Sequence, residues 1–404
     1  MTATDNTLSL KHEQAAAAPR FRWLIAPLTA FLVTRIAIFG IVLLADLILP
    51  GFNGIHVFQS GNPSADYVNA WDRWDTPFYT DIAEHGYSYV PGDDRNNVVF
   101  YPLYPISIAA LSPIVGGNGV LAGLLISNVA FFTALLILYQ LIMLKTGDES
   151  LSARTIFYLA AFPEAFFFAA AYTESLFLLL TVAAAYLALR RQWGWAGLMG
   201  ILASATRATG FLLVILVGYE WLQANGWTFS QIRERAAWDK LLRAIKAHWL
   251  ELIPIILIPV GLLLYMAYLG HAFGDPLAGF ESQAGWRQPS NVISFFNDMK
   301  LLLAGKLWPS YIMDTICFFV VMALIIPIGR RFGAGYALYT AFALLIPATS
   351  GVMSITRFTT VLFPVFMIAA LLIRSERFDR LIRVVFLLFL AIFALAFVKN
   401  VFLG

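Results

Sequence analysis

The sequence predicts an all-α polytopic membrane protein, and three observations carry that expectation. Of the 404 residues, 60% are hydrophobic and only 13% charged, with a mean hydropathy of +0.75. Soluble chains carry about twice that charged fraction. The apolar residues are gathered into about eleven runs, each long enough to cross a bilayer alone or packed in a bundle. Lys and Arg fall mostly between those runs, as they do when one face of a bundle collects positive charge. A net charge of +3 gives no footing for a nucleic-acid partner. The single cysteine, Cys317, lies in an apolar run, which excludes an internal disulfide or a cysteine-based metal cluster.

In chain order, residues 1–21 lack an apolar core and read as a disordered cytoplasmic tail. The first run, 23–49, is too long for a signal-peptide core and fits a retained helix, with Arg35 paired inside the bundle. Further runs occupy 119–144, 155–171, 174–189, 194–206, 208–223, 250–270, 310–329, 333–350, 358–373 and 384–402. Placing the basic groups in the cytoplasm requires an even number of crossings between neighbouring clusters. These clusters are the tail, Lys145 with Arg154, Arg190 with Arg191, the linker at 224–249, Arg330 with Arg331, and Arg374 to Arg383. The requirement makes 194–223 a hairpin of two short helices, with residues 205–210 at its tip. One long helix there would send the basic linker outward. Residues 22–404 then form one transmembrane domain. Its outer face holds a large first loop at 51–118, the stretch Tyr172-Thr173-Glu174, the tip at Arg207, a second loop at 271–309, and Arg357.

The first loop concentrates polarity. Between Trp71 and Tyr87 it holds Asp72, Arg73, Asp75, Asp81, Glu84 and His85. Thr76 reads as an N-cap, Pro77 as the first helical residue and Gly86 as the stop. A helix over 77–85 is only about 13 Å long and lies at the interface. Phe78, Tyr79 and Ile82 then face lipid or bundle, and Trp71 and Trp74 suit the headgroup level. Spacing alone favours reading Asp75 as a charge welcomed at a helix N-terminus. Asp72 is open to the same reading, with Arg73 as a surface partner. Asp81, Glu84 and His85 fit a solvated face, and the five His residues show no metal-ligand spacing. Glu174 reads equally as an N-terminal charge or a site residue. Arg207 and Arg357 stand apart from the basic belt. A guanidinium binds phosphate through paired N–H donors; the alternative is snorkelling to headgroups.

Several blocks together resemble a known family. They are Trp74-Asp75, Ile82-Ala83-Glu84-His85-Gly86-Tyr87 and Phe100-Tyr101-Pro102-Leu103-Tyr104-Pro105. Further along come Phe162-Pro163, Ala171-Tyr172-Thr173-Glu174-Ser175, Thr206-Arg207-Ala208-Thr209-Gly210, Thr356-Arg357-Phe358 and Phe363-Pro364. In this order they resemble the PIG-V mannosyltransferases, glycosyltransferases of the GT-C type. Tyr101 departs from the more usual Phe, and Thr76-Pro77 falls in a variable part of the loop.

The resemblance implies a GT-C-type bundle whose first outer loop carries short interfacial helices and the catalytic aspartate, here Asp75, with Asp72 in reserve. It implies a polyprenyl-phosphate-mannose donor, a glycolipid, glycan or protein acceptor, and an inverting displacement in which Asp75 is the general base. Arg207 and Arg357 then meet the departing phosphate. Glu84, His85, Tyr172 and Glu174 join them as candidates for contacting donor phosphate or sugar. The scheme invokes no metal or cofactor. A prokaryotic member of this length is expected in the plasma membrane, multi-pass, with its site on the extracytoplasmic side. The competing expectations are a flippase or transporter of a lipid-linked sugar precursor, which predicts an internal repeat that the sequence lacks, and a GT-C transferase of another sugar.

Overall fold

The computed structural model describes residues 22–93, 95–228, 231–286, 292–305 and 309–402. The tail expected at 1–21 lies outside them. Among the described residues every regular element is a helix. The first helix long enough to cross a membrane is α1 (Ile25–Leu43), and the segment expected as the first outer loop contains α2 (Thr76–His85) and α3 (Leu103–Leu111). The bundle continues with α4 (Gly119–Thr146), α5 (Glu149–Ala161), α6 (Glu174–Leu189), α7 (Trp193–Ser204) and α8 (Leu213–Ala224). Next come α9 (Arg235–Ile256), α10 (Val260–Phe273), α11 (Val292–Leu303), α12 (Pro309–Phe332) and α13 (Ala334–Ala348). The short α14 (Ile355–Thr359) leads to α15 (Phe363–Leu372) and α16 (Glu376–Val398).

Local chemistry accounts for the boundaries. α4 starts where the Asn118 side chain accepts the Leu121 N–H (2.8 Å) and stops at Gly147, whose φ of 69° a side chain would resist. The next residue, Asp148, caps α5 by accepting the Leu151 N–H at 2.9 Å. Two helices are thereby joined by a two-residue turn. α9 and α10 meet at a 46° bend, with Pro254 inside α9 and Pro259 immediately before α10.

Side-chain contacts sort the helix ends into two groups. At one end Lys145 of α4 pairs with Glu220 of α8, Arg154 of α5 donates to the Ile373 carbonyl, and Tyr158 donates to Asp379 of α16. At the other end gather the first outer loop, the start of α6, the α7–α8 tip and the turn before α14. Basic residues therefore mark one end and the residues singled out for chemistry mark the other, as the charge pattern requires. Residues 193–224 do form a hairpin. Gly210 sits so close to Ala203 that a Cβ there would lie 2.4 Å from the Ala203 carbonyl oxygen.

Each expected apolar run falls on helix. Four of the described helices, α1, α4, α12 and α16, are long and apolar enough to cross a membrane alone, and the bent α9–α10 pair makes a fifth. Others are shorter and are extended by 3-10 turns, as at Pro163–Phe168 and Ala208–Leu212. Three local expectations change. The linker at 224–249 is helical from Arg235 onward, because its apolar residues recur along one face. The first loop contains the apolar α3, which packs against α2 and α4. Trp71 is not at a headgroup level: it is fully buried, edge-on to Phe39 and near Phe397.

Close helix approach rests on small residues, which association in lipid favours. A Cβ on Gly261 would lie 2.0 Å from the Ile201 carbonyl oxygen, and one on Gly197 would lie 2.4 Å from that of Pro254. Gly218 has nothing nearer than the Ile255 Cγ2 at 3.9 Å. Gly261→Val or Gly197→Val should therefore lower stability by about 1–3 kcal/mol through overpacking. Gly218→Ala should be neutral or stabilising by up to about 1 kcal/mol. Thermal midpoints in detergent test the contrast, and equal effects at all three positions would contradict this packing.

Candidate functional site

Asp75 occupies the cap position of α2, yet its carboxylate makes no cap hydrogen bond. The helix begins one residue earlier than the sequence suggests, with Thr76 already inside it. The preceding Trp74 has φ 55°, a left-handed conformation that costs a non-glycine residue about 1–2 kcal/mol. Tyr172 holds that turn from the far side of the site. Its hydroxyl accepts the Asp75 N–H at 3.0 Å and donates to the Arg73 carbonyl at 3.3 Å. The backbone is thus fixed from both sides of Trp74, and the Asp75 side chain is turned away from its own helix.

What the carboxylate meets is Arg357. Its Nη1 lies 2.8 Å from Asp75 Oδ2, and its Nε donates to Glu174 Oε1 at 2.6 Å. The same Glu174 oxygen accepts from Arg207 Nη1 at 2.9 Å. Two carboxylates and two guanidiniums form one chain, Asp75–Arg357–Glu174–Arg207, of zero formal net charge. Glu174 is 0% exposed, Arg357 10%, Arg207 15% and Asp75 21%, so accessibility rises toward both ends of the chain. Ionised groups this far from water persist only when paired. Aromatic faces complete the setting. The Arg357 guanidinium stands 4.7 Å from the ring centres of both Phe167 and Tyr172, and that of Arg207 stands 5.2 Å from Phe358.

The two ends of this chain open into a cavity of about 610 Å³. Asp75, Arg207 and Arg357 line it, together with two unlike walls. One is aromatic and comes from the segments 51–118 and 271–309. Phe78 stacks on Phe100 (5.2 Å, 16°), and Trp286 stands edge-on to both, its Nε1–H donated to the Asn96 carbonyl. The other is largely aliphatic and includes Ala343, Ile346 and Pro347 of α13 with Val361 and Leu362 beyond α14.

The structure separates the residues that the sequence grouped. Asp75, Tyr172, Glu174, Arg207 and Arg357 come together, although Tyr172 and Glu174 are buried and act through their neighbours. Asp72 faces elsewhere. Its Oδ1 is buried without a partner, and burial pushes its carboxyl above the ordinary range against the opposing charge of Arg73. Arg73 is not its surface partner through the carboxylate: it donates to the backbone carbonyls of Val398, Asn69 and Asp72. Glu84 and His85 stand exposed at the far end of α2 and do not line the cavity, and His85 pairs with Asp81 at 3.0 Å. Arg35 donates to Asn128 Oδ1 (3.2 Å) and lies 4.6 Å from the Phe131 ring centre.

Sequence reading missed Tyr79, which is buried yet borders the cavity. Burial and the charges of Asp75 and Glu174 push its phenol above the ordinary range, so it remains a neutral O–H. Its position one helical turn past Asp75 was the available signal.

Removing the shared carboxylate should be costly. Glu174→Ala leaves two guanidiniums without their common partner, and a loss of about 3–5 kcal/mol is expected. Tyr172→Phe should cost about 1–3 kcal/mol by stranding the Asp75 amide. Thermal unfolding in detergent measures both; a Glu174→Ala protein as stable as the parent would contradict the buried cluster.

Comparison with known proteins identifies the family. Over 234 residues the chain is 30% identical to GPI alpha-1,6-mannosyltransferase 2 of Mus musculus, a match covering 53% of this chain and 45% of that protein. The Rattus norvegicus protein of the same name is 30% identical over 237 residues, with the same coverage. The match therefore spans less than half the length of these relatives. Among solved structures, the apo oligosaccharyltransferase of Archaeoglobus fulgidus aligns with 95% of this chain and 56% of its own, at 14% identity and a TM-score of 0.45. Residues 57–298, more than half the chain, match the family model described as Mannosyltransferase (PIG-V). The chain belongs to the PIG-V mannosyltransferase family.

Proposed function

We propose that this protein transfers a mannosyl residue from a polyprenyl-phosphate-linked donor to an acceptor hydroxyl, with inversion, at the extracytoplasmic face of the plasma membrane. Family membership supports the sugar and the reaction class. The observation that carries the mechanism is the ion chain, in which the accessible carboxylate of Asp75 and two guanidiniums border one cavity. The extracytoplasmic side is supported by the positive-inside rule, since the cavity lies at the end of the bundle away from its basic residues.

In this reading the prenyl chain of the donor lies along the aliphatic wall, its phosphate meets Arg357 and Arg207, and the acceptor enters over the aromatic wall. The acceptor oxygen attacks the anomeric carbon while Asp75 takes its proton. The bond from that carbon to the phosphate oxygen breaks, and the electron pair leaves with the lipid phosphate. Charge is conserved: Asp75 becomes neutral as the departing phosphate gains its second negative charge. Arg357 already contacts Asp75, so its positive charge is released by the protonated carboxyl when the phosphate needs it.

Asp75→Asn should lower transfer from polyprenyl-phosphate mannose by at least about 10²-fold while the protein still folds, whereas Asp72→Asn should retain turnover. The measurement is sugar transfer by purified protein, across a panel of polyprenyl-phosphate sugars. Retained turnover in Asp75→Asn removes the proposed base, and transfer of another sugar in preference to mannose replaces the donor.

A further inference from the structure

The residue whose aim matters most, Arg357, is carried by a helix of five residues, too short to hold its own direction. The turn before it is contorted. Gly351 has φ 97° and Ser354 has φ 64°, the latter unfavourable for a residue with a side chain. Two carboxylates from separate helices hold this turn by its backbone. Asp314, near the start of α12, accepts the Ser354 N–H on Oδ2 (3.1 Å) and the Thr356 N–H on Oδ1 (2.8 Å). Asp298, on α11, accepts the Val352 N–H on Oδ2 at 2.9 Å. That same oxygen lies 2.3 Å from where a Cβ on Gly351 would be. Each aspartate is 1% exposed, and neither borders the cavity.

We infer that Asp314 and Asp298 are positioning residues for Arg357. Asp314 fixes the first amides of α14, and thereby the point at which the Arg357 guanidinium enters between Asp75 and Glu174. Asp298 ties the same turn to α11, an element of the second outer loop, so that the loop carrying Trp286 and the turn carrying Arg357 share an anchor. Both oxygens of Asp314 are needed, one per amide. An asparagine offers one acceptor and turns an N–H toward the other amide. A displacement of about 1 Å at a reacting centre costs on the order of 10²-fold in rate.

The inference rests on the proposed role of Arg357 in transfer, and its test keeps the two apart. Asp314→Asn, Arg357→Gln and the double variant of the full chain are purified in detergent and assayed with polyprenyl-phosphate mannose. Phenylglyoxal modification of Arg357, followed by mass spectrometry, is measured alongside. Asp314→Asn should lower kcat by about 10²-fold, add no further loss in the Arg357→Gln background, and make Arg357 react several-fold faster. Multiplicative losses in the double variant, or unchanged labelling of Arg357, overturn the positioning role. Parental turnover in Arg357→Gln instead sinks the proposed use of Arg357, and labelling alone then decides whether Asp314 aims it. Should Asp314→Asn fail to fold, Asp298→Asn enters the same cycle with the same expected and overturning results.

Discussion

A guanidinium cannot be left alone in a low-dielectric interior, and most of the site follows from that constraint acting on Arg357. Desolvating an ion costs several kcal/mol even after relaxation, so Arg357 must be met by carboxylates. Asp75 comes from the first outer loop and Glu174 from the start of α6. The second carboxylate is itself too deeply buried for a single partner and recruits Arg207 from the α7–α8 tip. Four segments far apart in sequence are thus drawn to one point by a requirement for neutrality. The faces of Phe167 and Tyr172 then cover the cation where no oxygen reaches it.

The neutrality also sets the terms on which a substrate anion can bind. Within the ion chain neither guanidinium is unopposed, since Arg357 and Arg207 each face a carboxylate, whereas Arg95 stands exposed elsewhere on the cavity wall. A phosphate that meets Arg357 or Arg207 must share that cation with a resident carboxylate, an exchange with Asp75 at one end of the ion chain and with Glu174 at the other. In the proposed reaction the exchange costs little, because protonation cancels the claim of Asp75 on Arg357 at the moment the phosphate becomes more negative.

Much of the bundle was legible in the sequence because hydropathy and the placement of Lys and Arg obey rules local to each segment. The hairpin expected over 194–223 is an example: its two halves are individually short, and only the charge count makes them two. The site was partly legible for the same reason, since Glu174, Arg207 and Arg357 interrupt apolar runs away from the basic end. What could not be read was pairing. Glu84 and His85 were companions of Asp75 only by family resemblance; a ten-residue helix carries them about 15 Å away, onto the exposed face that their spacing suggested. Trp71 looked interfacial by residue type, yet it packs against Phe39 and Phe397, from the first and last helices. The Asp298 and Asp314 anchors act on backbone amides, which leave no mark in a sequence.

Those last contacts bear on when a nascent chain acquires its site. The fully buried Lys399 amine pairs with Asp46 and donates to the Ile55 carbonyl. Arg73 donates to the Val398 carbonyl, and Phe402 covers Trp74, the residue beside Asp75. The loop bearing Asp75 is therefore braced by the last of the described helices, and the counter-ion of Asp75 lies 282 positions downstream of it. An elongating polypeptide inserts its first loop long before either element exists, and contacts of such sequence separation form late. The loop gains its arginine only after residue 357 has been made, and its brace only after residues near 400 have followed.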